Sequence, residues 1–269
     1  MTDRVAVIGA GKMGEALLSG MLRAGRPAAD LLATTRRGDR ADLLRERYGV
    51  EVTTNTEAAK RADTLLIAVK PQDMTALLDE LGPAVSADRL VVSVAAGIPT
   101  STIEGRLVEG VPVVRVMSNT PVIVDEAMSA VSAGRHAREE HLQRTEDLLR
   151  PVGKVIRVPE SQQDAVTALS GSGPAYFFYL VEAMTDAGIL LGLPRSVAHD
   201  LIVQSAYGAA LMLRDSGEHP GRLREAVTSP AGTTISAIRE LENHGVRAAF
   251  LAALEAARDR GRELASGTS

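Results

Sequence analysis

The sequence predicts an amino-terminal α/β domain with a doubly wound, mostly parallel sheet, followed by an all-α carboxy-terminal domain. Three observations lead to this fold class. Short apolar runs alternate with helical patterns up to about residue 158, a glycine-rich turn follows the first run, and the strand pattern stops after residue 158. The predicted domains are therefore residues 1–158 and 159–269.

The first domain contains seven runs that are typical of strands, because they are apolar or β-branched and bounded by turn residues. They cover residues 5–8, 31–35, 64–69, 90–94, 113–117, 128–132 and 154–158. Helical patterns lie between the earlier runs, at residues 14–24, 41–48 and 73–81. Strands and helices that alternate at this spacing form parallel pairs through right-handed crossovers.

The second domain is rich in the helix formers alanine, leucine, glutamate and arginine. Its predicted helices cover residues 160–169, 175–191, 196–216, 221–228, 234–242 and 246–265. Several of them carry apolar side chains on more than one face, as residues 180–191 do, and such a helix is usually buried. Because a domain of this size cannot bury so much apolar surface alone, we expect a homo-oligomer that forms through the helical domain.

The composition argues against several classes of protein. The 269 residues include 30 Lys+Arg and 34 Asp+Glu, so the net charge is −4, whereas a nucleic-acid-binding protein usually has a basic face. The chain has no cysteine, which excludes disulfides, thiolate nucleophiles and iron–sulfur clusters. No apolar run reaches the ~18 residues that a membrane helix needs. We expect a cytoplasmic protein without nucleic-acid or membrane partners.

The glycine-rich turn has the pattern G-x-G-x-x-G, directly after the first strand and at the start of a helix. Gly9 allows the tight turn, Gly11 lets the backbone approach a pyrophosphate, and Gly14 lets helix and strand pack closely. Lys12 and Met13 complete the turn. The helix amino terminus supplies free N–H groups for the phosphates. This context predicts a Rossmann-type dinucleotide-binding domain.

The residues after the second strand indicate which dinucleotide binds. Enzymes that use NAD usually have an acidic residue there, about 20 residues beyond the glycines, to bind the ribose 2′-hydroxyl. This chain has Thr35, Arg36 and Arg37 instead. Guanidinium groups suit a 2′-phosphate, so we predict NADPH as the cofactor. Asp39 lies close by and leaves NADH possible.

The second domain carries one segment with hydroxyl groups at the start of a helix, T-S-P-A-G-T-T at residues 228–234. Hydroxyls and free N–H groups at a helix amino terminus can bind an anion, or they can simply cap the helix. The sequence alone leaves both readings open. None of the five histidines has the spacing of a metal ligand pair, so we predict no metal site.

Four segments resemble the pyrroline-5-carboxylate reductase family. Besides residues 228–234, they are A-V-K-P-Q at 68–72, V-M-S-N-T-P at 116–121 and A-L-S-G-S-G-P-A-Y at 168–176. They occur in the same order as in that family, and the resemblance covers nearly the whole chain. The departures are small: Ala231 stands where glycine is frequent, and Thr233 stands where alanine or another small residue is frequent.

The resemblance implies an oxidoreductase that acts on an imine, reducing L-Δ1-pyrroline-5-carboxylate to L-proline in the last step of proline biosynthesis. It implies that Thr234 is the catalytic residue, with its hydroxyl on the ring nitrogen to orient it and relay a proton. The substrate carboxylate would bind Ser229 and the backbone N–H groups of Gly232, Thr233 and Thr234.

The resemblance also implies further contacts. Asn119 would lie near the site of hydride transfer and contact the substrate. The cofactor's ribose and nicotinamide would be bordered by Asn55, Ala68, Val69, Lys70 and Pro71. In the family, the helical domain pairs with that of a second subunit, and the substrate pocket lies where the helical domain meets the nucleotide domain.

Two alternative functions stay open. One is a related NADP-dependent oxidoreductase that acts on another imine or on a hydroxyacid. A hydroxyacid dehydrogenase generally uses a lysine from its first long carboxy-terminal helix, and residues 159–269 contain no lysine. The other is a non-catalytic module that senses a dinucleotide, which would need the glycine turn but not the helix start at Thr233 and Thr234.

Overall fold

The computed structural model describes residues 3–266, which divide into two compact units. The first unit contains the residues up to Ser172 and those from Ala257 on, and the second is Gly173–Ala256. In this division residues 159–172 pack with the first unit, whereas the predicted domain boundary falls near residue 158. The boundary between the domains therefore stays a prediction.

The first unit is built on one eight-stranded sheet in the order β3-β2-β1-β4-β5-β6-β7-β8. The strands are β1 Val5–Ile8, β2 Leu31–Thr34, β3 Glu51–Thr53, β4 Thr64–Ile67, β5 Leu90–Ser93, β6 Val113–Met117, β7 Ala127–Ala133 and β8 Gly153–Arg157. Every neighbouring pair is parallel except β6 and β7. This topology confirms the predicted fold class, and the strand order reverses beside β1, where such sheets bind dinucleotides.

Seven α-helices lie entirely in the first unit within the described residues. They are α1 Lys12–Arg23, α2 Gly38–Tyr48, α3 Asn55–Arg61, α4 Met74–Leu81, α5 Thr100–Glu104, α6 Glu139–Leu149 and α7 Gln163–Val166. The sequence pattern missed β3, α3, α5 and α6, because these elements are short or largely polar. The predicted helix over residues 160–169 is instead a 3₁₀ turn, the single turn α7 and a π turn over Thr167–Gly171.

The sheet has an apolar cluster on each face, as expected when successive strand residues point in opposite directions. Val5 and Val7 of β1 pack in one cluster with Leu17 of α1. Ala6 and Ile8 of the same strand pack in the other cluster, which contains helix α4 side chains. Because both faces are covered, β1 is completely buried, and its carboxyl end is rigidly held at the position where a ligand would bind.

A buried arginine ties residues 160–164 to the sheet. Arg115 of β6 is only 5% exposed, and its guanidinium lies 3.4 Å from Glu160 and 3.8 Å from Asp164. Glu160 also accepts hydrogen bonds of 2.7 Å from the backbone N–H and the hydroxyl of Thr100. Since a buried charge needs partners, this network explains why the segment after β8 packs with the first unit.

The second unit is helical, as predicted. Its helices are α8 Gly173–Leu190, α9 Arg195–Ser216, α10 Pro220–Ala226, α11 Thr233–Asn243 and α12 Val246–Ser266, the last of which ends in the first unit. Several large apolar side chains are exposed, among them Phe178, Tyr179 and Leu190, the last at 88%. None of the helices in residues 3–266 combines the length and the apolar character needed to cross a bilayer.

Candidate active site

A cleft of about 1200 Å³ opens at the carboxyl ends of β1, β2 and β4 in the first unit. It collects most of the residues that the sequence predicted to bind a dinucleotide: Gly9, Gly11, Lys12, Thr35, Arg36, Arg37, Asn55, Ala68, Val69 and Lys70. Three predicted residues do not line it. Met13 packs against the core, Gly14 is buried under the turn, and Pro71 begins the 3₁₀ turn before α4.

The structure shows why glycine occupies each of the three positions of the turn. Gly9 has a φ of +84°, and a Cβ there would lie 2.6 Å from the Val69 side chain. A Cβ on Gly14 would lie 2.8 Å from the Gly9 carbonyl oxygen. By contrast, a Cβ on Gly11 would meet no protein atom within 4 Å. Gly11, which precedes α1, therefore leaves open space where a phosphate can approach the helix amino terminus.

Thr34 at the end of β2 holds the turn in place. Its hydroxyl accepts a 3.1 Å hydrogen bond from the Gly9 N–H, and its carbonyl accepts a 2.8 Å hydrogen bond from the Ala10 N–H. Thr34 is only 2% exposed. The sequence pattern did not assign this role, because the contact joins residues 25 positions apart.

Glu15 places a carboxylate in the cleft, and three side chains surround it. Arg40 forms an ion pair with it, Arg47 lies 3.3 Å away and the Tyr48 hydroxyl donates a 2.9 Å hydrogen bond. Partial burial would raise the pKa of Glu15, but the hydrogen bonds from Arg40 and Tyr48 and the arginine charges outweigh it, so the pKa lies below its ordinary value. The guanidinium groups of Arg40 and Arg47 offset the negative charge of Glu15 beside the place where a phosphate would bind.

Two arginines and two aspartates meet at the end of the cleft that follows β2. Arg36 forms a two-pronged ion pair with Asp73, at 2.8 and 3.2 Å. Arg37 pairs with Asp39 at 2.5 Å, and its hydrogen bond lowers the pKa of that carboxyl below its ordinary range. The sequence pattern identified both arginines but not Asp73. The arginines, the open space at Gly11 and the free amino terminus of α1 fit a dinucleotide that carries a 2′-phosphate.

The remaining predicted cofactor residues lie at the ends of neighbouring strands. The Ala68 N–H donates a 2.8 Å hydrogen bond to the carbonyl of Ile8, so the segment after β4 follows the end of β1. Lys70 is exposed at this position. Asn55 begins α3, and its amide donates a 2.9 Å hydrogen bond to Glu80 of α4. This contact joins two helices that border the cleft.

Asn119 lies in the first unit, and protein groups engage both polar atoms of its amide. Its oxygen accepts a 2.9 Å hydrogen bond from the Met128 N–H, and its nitrogen donates at 3.3 Å to the carbonyl of Ser170. Asn119 thus joins the start of β7 to the π turn before α8. Its predicted contact with the substrate stays a prediction.

The other predicted substrate residues meet at the start of α11 in the second unit. Thr233 and Thr234 are its first two residues, and Gly232 precedes them without any side-chain cap. Ala231 has a φ of +56°, which turns the chain sharply before the helix, and a Cβ on Gly232 would collide with Ser229. The first N–H groups of an α-helix have no intrahelical partner, so this helix start can bind an anion.

The hydroxyls of Ser229, Thr233 and Thr234 make no hydrogen bond to any other described residue. Neighbouring hydroxyls on either side do: Thr228 donates to the carbonyl of Arg224 at 2.6 Å and Ser236 to that of Gly232 at 3.1 Å. No side chain caps this helix start, and the anion site stays a prediction. Within the side chains that the structure describes, no group of three or more metal-ligating residues is close enough to hold a metal ion.

Comparison with known proteins agrees with this division into a nucleotide cleft and a helical region. A family model described as pyrroline-5-carboxylate reductase dimerisation matches residues 160–264. Another, described as NADP oxidoreductase coenzyme F420-dependent, matches residues 4–97. A pyrroline-5-carboxylate reductase of Corynebacterium melassecola is 47% identical over 264 residues, which cover 97% of this chain and 98% of that protein. The chain belongs to the pyrroline-5-carboxylate reductase family.

Solved structures of the pyrroline-5-carboxylate reductase family have the same fold. The enzyme from Coxiella burnetii has a TM-score of 0.93 and 36% identity, covering 98% of this chain and 99% of that one. The Plasmodium falciparum enzyme, solved with NADP bound, has a TM-score of 0.87 and 25% identity, covering 98% of each chain. The resemblance inferred from the sequence is thus confirmed.

Gly11→Ala tests whether the open space at this glycine is where the pyrophosphate binds. The added methyl group meets no protein atom within 4 Å, so we expect the unfolding temperature to stay unchanged. It would occupy the space of a bound phosphate, so we expect the Kd for NADPH to rise about ten-fold or more, or ~1.4 kcal/mol. Calorimetric titration measures the Kd, and Gly261→Ala, at a site in α12 that is equally free of neighbours and does not line the cleft, is the control.

Proposed function

We propose that this chain is a pyrroline-5-carboxylate reductase, which reduces the cyclic imine L-Δ1-pyrroline-5-carboxylate to L-proline with NADPH, and with NADH as a weaker alternative. One observation carries the proposal: a chain of this family has two sites for anions. The first is a phosphate-binding cleft with arginines at the end where a 2′-phosphate would bind, and the second is the start of α11, whose N–H groups can bind a carboxylate. The reaction adds a hydride to the imine carbon and a proton to the ring nitrogen.

The first unit would hold the cofactor through three groups of residues. The turn Gly9, Gly11 and Lys12, with the amino terminus of α1, binds the pyrophosphate. Thr35, Arg36 and Arg37 bind the 2′-phosphate. Asn55 and the segment Ala68–Pro71 border the riboses and the nicotinamide. The reduced nicotinamide supplies the hydride when it is bound.

The start of α11 would hold the substrate. Ser229 and the N–H groups of Gly232, Thr233 and Thr234 bind the carboxylate, aided by the positive end of the helix dipole. The Thr234 hydroxyl lies on the ring nitrogen, where it orients the imine and relays a proton. A protonated imine is already electrophilic at carbon, so these residues mainly have to fix the distance and orientation of the reacting atoms.

The helical region would form the contact between subunits of a homo-oligomer. The family model for dimerisation matches residues 160–264, and this region exposes large apolar side chains, among them Phe177, Tyr179 and Leu191. Exposed large apolar side chains of this kind are typical of an interface between subunits. We also propose a cytoplasmic location, since a chain without cysteine is compatible with a reducing compartment.

The decisive experiment follows NADPH oxidation with pyrroline-5-carboxylate, with a panel of other cyclic imines and with 2-oxoacids. We expect turnover with pyrroline-5-carboxylate at a kcat/KM at least about ten-fold above every other compound, because the helix start selects a small imine carboxylate. Equal or faster turnover of a 2-oxoacid would instead identify a hydroxyacid dehydrogenase. Binding of NADPH without turnover of any compound would identify a non-catalytic module.

Thr234→Ala tests the proposed catalytic hydroxyl. Loss of a group that orients the ring nitrogen and relays a proton should lower kcat/KM about 100-fold, and Thr234→Ser should restore most of the activity because it keeps the hydroxyl. Ser236→Ala, on the same helix, is the matched control. Its hydroxyl is bonded to the Gly232 carbonyl, and we expect its kcat/KM to change less than two-fold. Wild-type turnover by Thr234→Ala would remove the role assigned to Thr234.

Arg36→Ala tests recognition of the 2′-phosphate. Loss of one guanidinium–phosphate contact should raise the KM for NADPH about ten-fold, or ~1.4 kcal/mol, with a much smaller effect on the KM for NADH. Steady-state kinetics with both cofactors measures the two values. An equal rise for NADPH and NADH would show that Arg36 contacts a part that the two cofactors share.

A further inference from the structure

The ion pair between Arg36 and Asp73 crosses the cleft. Arg36 follows β2, Asp73 precedes α4 after β4, and β1 lies between these two strands in the sheet. Both side chains line the same cleft. Two hydrogen bonds of 2.8 and 3.2 Å join the guanidinium to the two carboxylate oxygens. The arginine assigned to the 2′-phosphate is therefore already bound by a carboxylate with the same planar, two-pronged geometry.

The second pair at this end of the cleft has a different geometry. Arg37 immediately precedes α2 and Asp39 lies in the first turn of that helix, so their contact does not reach across the cleft. Asp39 and Arg37 therefore form a local pair at the start of α2. Asp73 is 37 residues from Arg36 and belongs to another strand-helix connection. Of these two pairs, Arg36–Asp73 is the one that occupies a guanidinium and also spans the space between β2 and β4.

We propose that Asp73 is a specificity-determining residue that lowers the preference for NADPH over NADH by competing with the 2′-phosphate for Arg36. This inference rests on the proposed function of the cleft as a cofactor site. Asp73 occupies one N–H of each terminal nitrogen of Arg36, so the 2′-phosphate of NADPH has to displace the carboxylate or share the guanidinium with it, whereas NADH, which has no 2′-phosphate, leaves the pair intact. Asp73 thereby weakens the binding of one cofactor more than that of the other.

The charges at this end of the cleft support the same conclusion. Arg36 and Arg37 contribute two positive charges, and Asp39 and Asp73 cancel them. A 2′-phosphate carries close to two negative charges, so it meets a neutral rather than a positive end, and it repels the displaced carboxylate. Arg36 is 82% exposed, and exposed pairs are individually weak. The expected effect is therefore a several-fold change in affinity.

Asp73→Asn separates this competition from any role of Asp73 in folding. Asp73 precedes α4, but its side chain makes no capping hydrogen bond, and asparagine keeps its size. Asp79→Asn is the matched control. It removes the same charge from α4, the helix that Asp73 precedes, and breaks an exposed 2.7 Å pair with Arg106, but Asp79 lies outside the cleft lining.

The probes are adenosine 2′,5′-bisphosphate and adenosine 5′-monophosphate, titrated by calorimetry into the full chain, followed by NADPH and NADH. Asp73→Asn should tighten the binding of the bisphosphate and of NADPH about three- to five-fold. The change for the monophosphate and NADH should stay below two-fold, and Asp79→Asn should alter none of the four Kd values. In an Arg36→Ala background, the gain in bisphosphate affinity from Asp73→Asn should be smaller than in the wild-type background, because the competition for the guanidinium is gone.

Two results would overturn the inference. Weaker binding of the bisphosphate to Asp73→Asn would mean that Asp73 positions Arg36 for the phosphate instead of competing with it. Weaker binding of NADH would mean that Asp73 accepts a hydrogen bond from the ribose 2′-hydroxyl. These titrations contain no imine, so they are independent of turnover. A protein that binds all four probes as expected but does not reduce pyrroline-5-carboxylate would refute the proposed reaction and leave the role of Asp73 intact.

Discussion

The close approach of β1, α1 and the segment after β4 is the constraint on which the cofactor cleft depends. A Cβ on Gly14 would press on the Gly9 carbonyl, and one on Gly9 would press on Val69. Only glycine lets these three segments meet, and Thr34 then fixes the turn from the neighbouring strand. The packing of these segments fixes the direction of the amino terminus of α1. The position of the phosphates is therefore set by the backbone rather than by a mobile side chain.

The charged side chains around this junction are organised in pairs. Glu15 is held by Arg40 and Tyr48, and the arginines after β2 are held by carboxylates. The carboxylates hold the guanidinium groups near the cleft and offset their positive charge in the free protein. This agrees with the slight excess of acidic residues in the chain. An anionic ligand therefore binds by replacing a carboxylate as the partner of an arginine. Its affinity reflects the difference in free energy between the arginine–ligand pair and the arginine–carboxylate pair.

The helical unit depends on a different kind of interaction. Its helices carry more apolar surface than they bury among themselves, with Leu190 at 88% exposure as the clearest case. Because burying apolar surface is favourable, such a surface favours contact with another subunit. The same unit provides the uncapped start of α11 at Thr233 and Thr234, so one set of helices serves both assembly and the proposed substrate site.

Much of this could be predicted from the sequence because it depends on local signals. The glycine turn, the alternation of strands with helices, and the hydroxyl-rich helix start are patterns within a few residues. The elements that were missed, such as β3 and α5, are too short for a periodic signal. The antiparallel placement of β7, the burial of Arg115 against Glu160, and the engagement of both amide atoms of Asn119 join residues far apart in the chain.

The sequence by itself determined that this protein has a phosphate-binding turn, arginines in place of an acidic residue after the second strand, and membership of a reductase family. Only the tertiary structure decided which partners those arginines have. Asp73 carries no motif of its own, and it reaches Arg36 because β2 and β4 flank β1 in the sheet. Residue types specify what a side chain can bind, whereas the packing of distant segments decides what it meets.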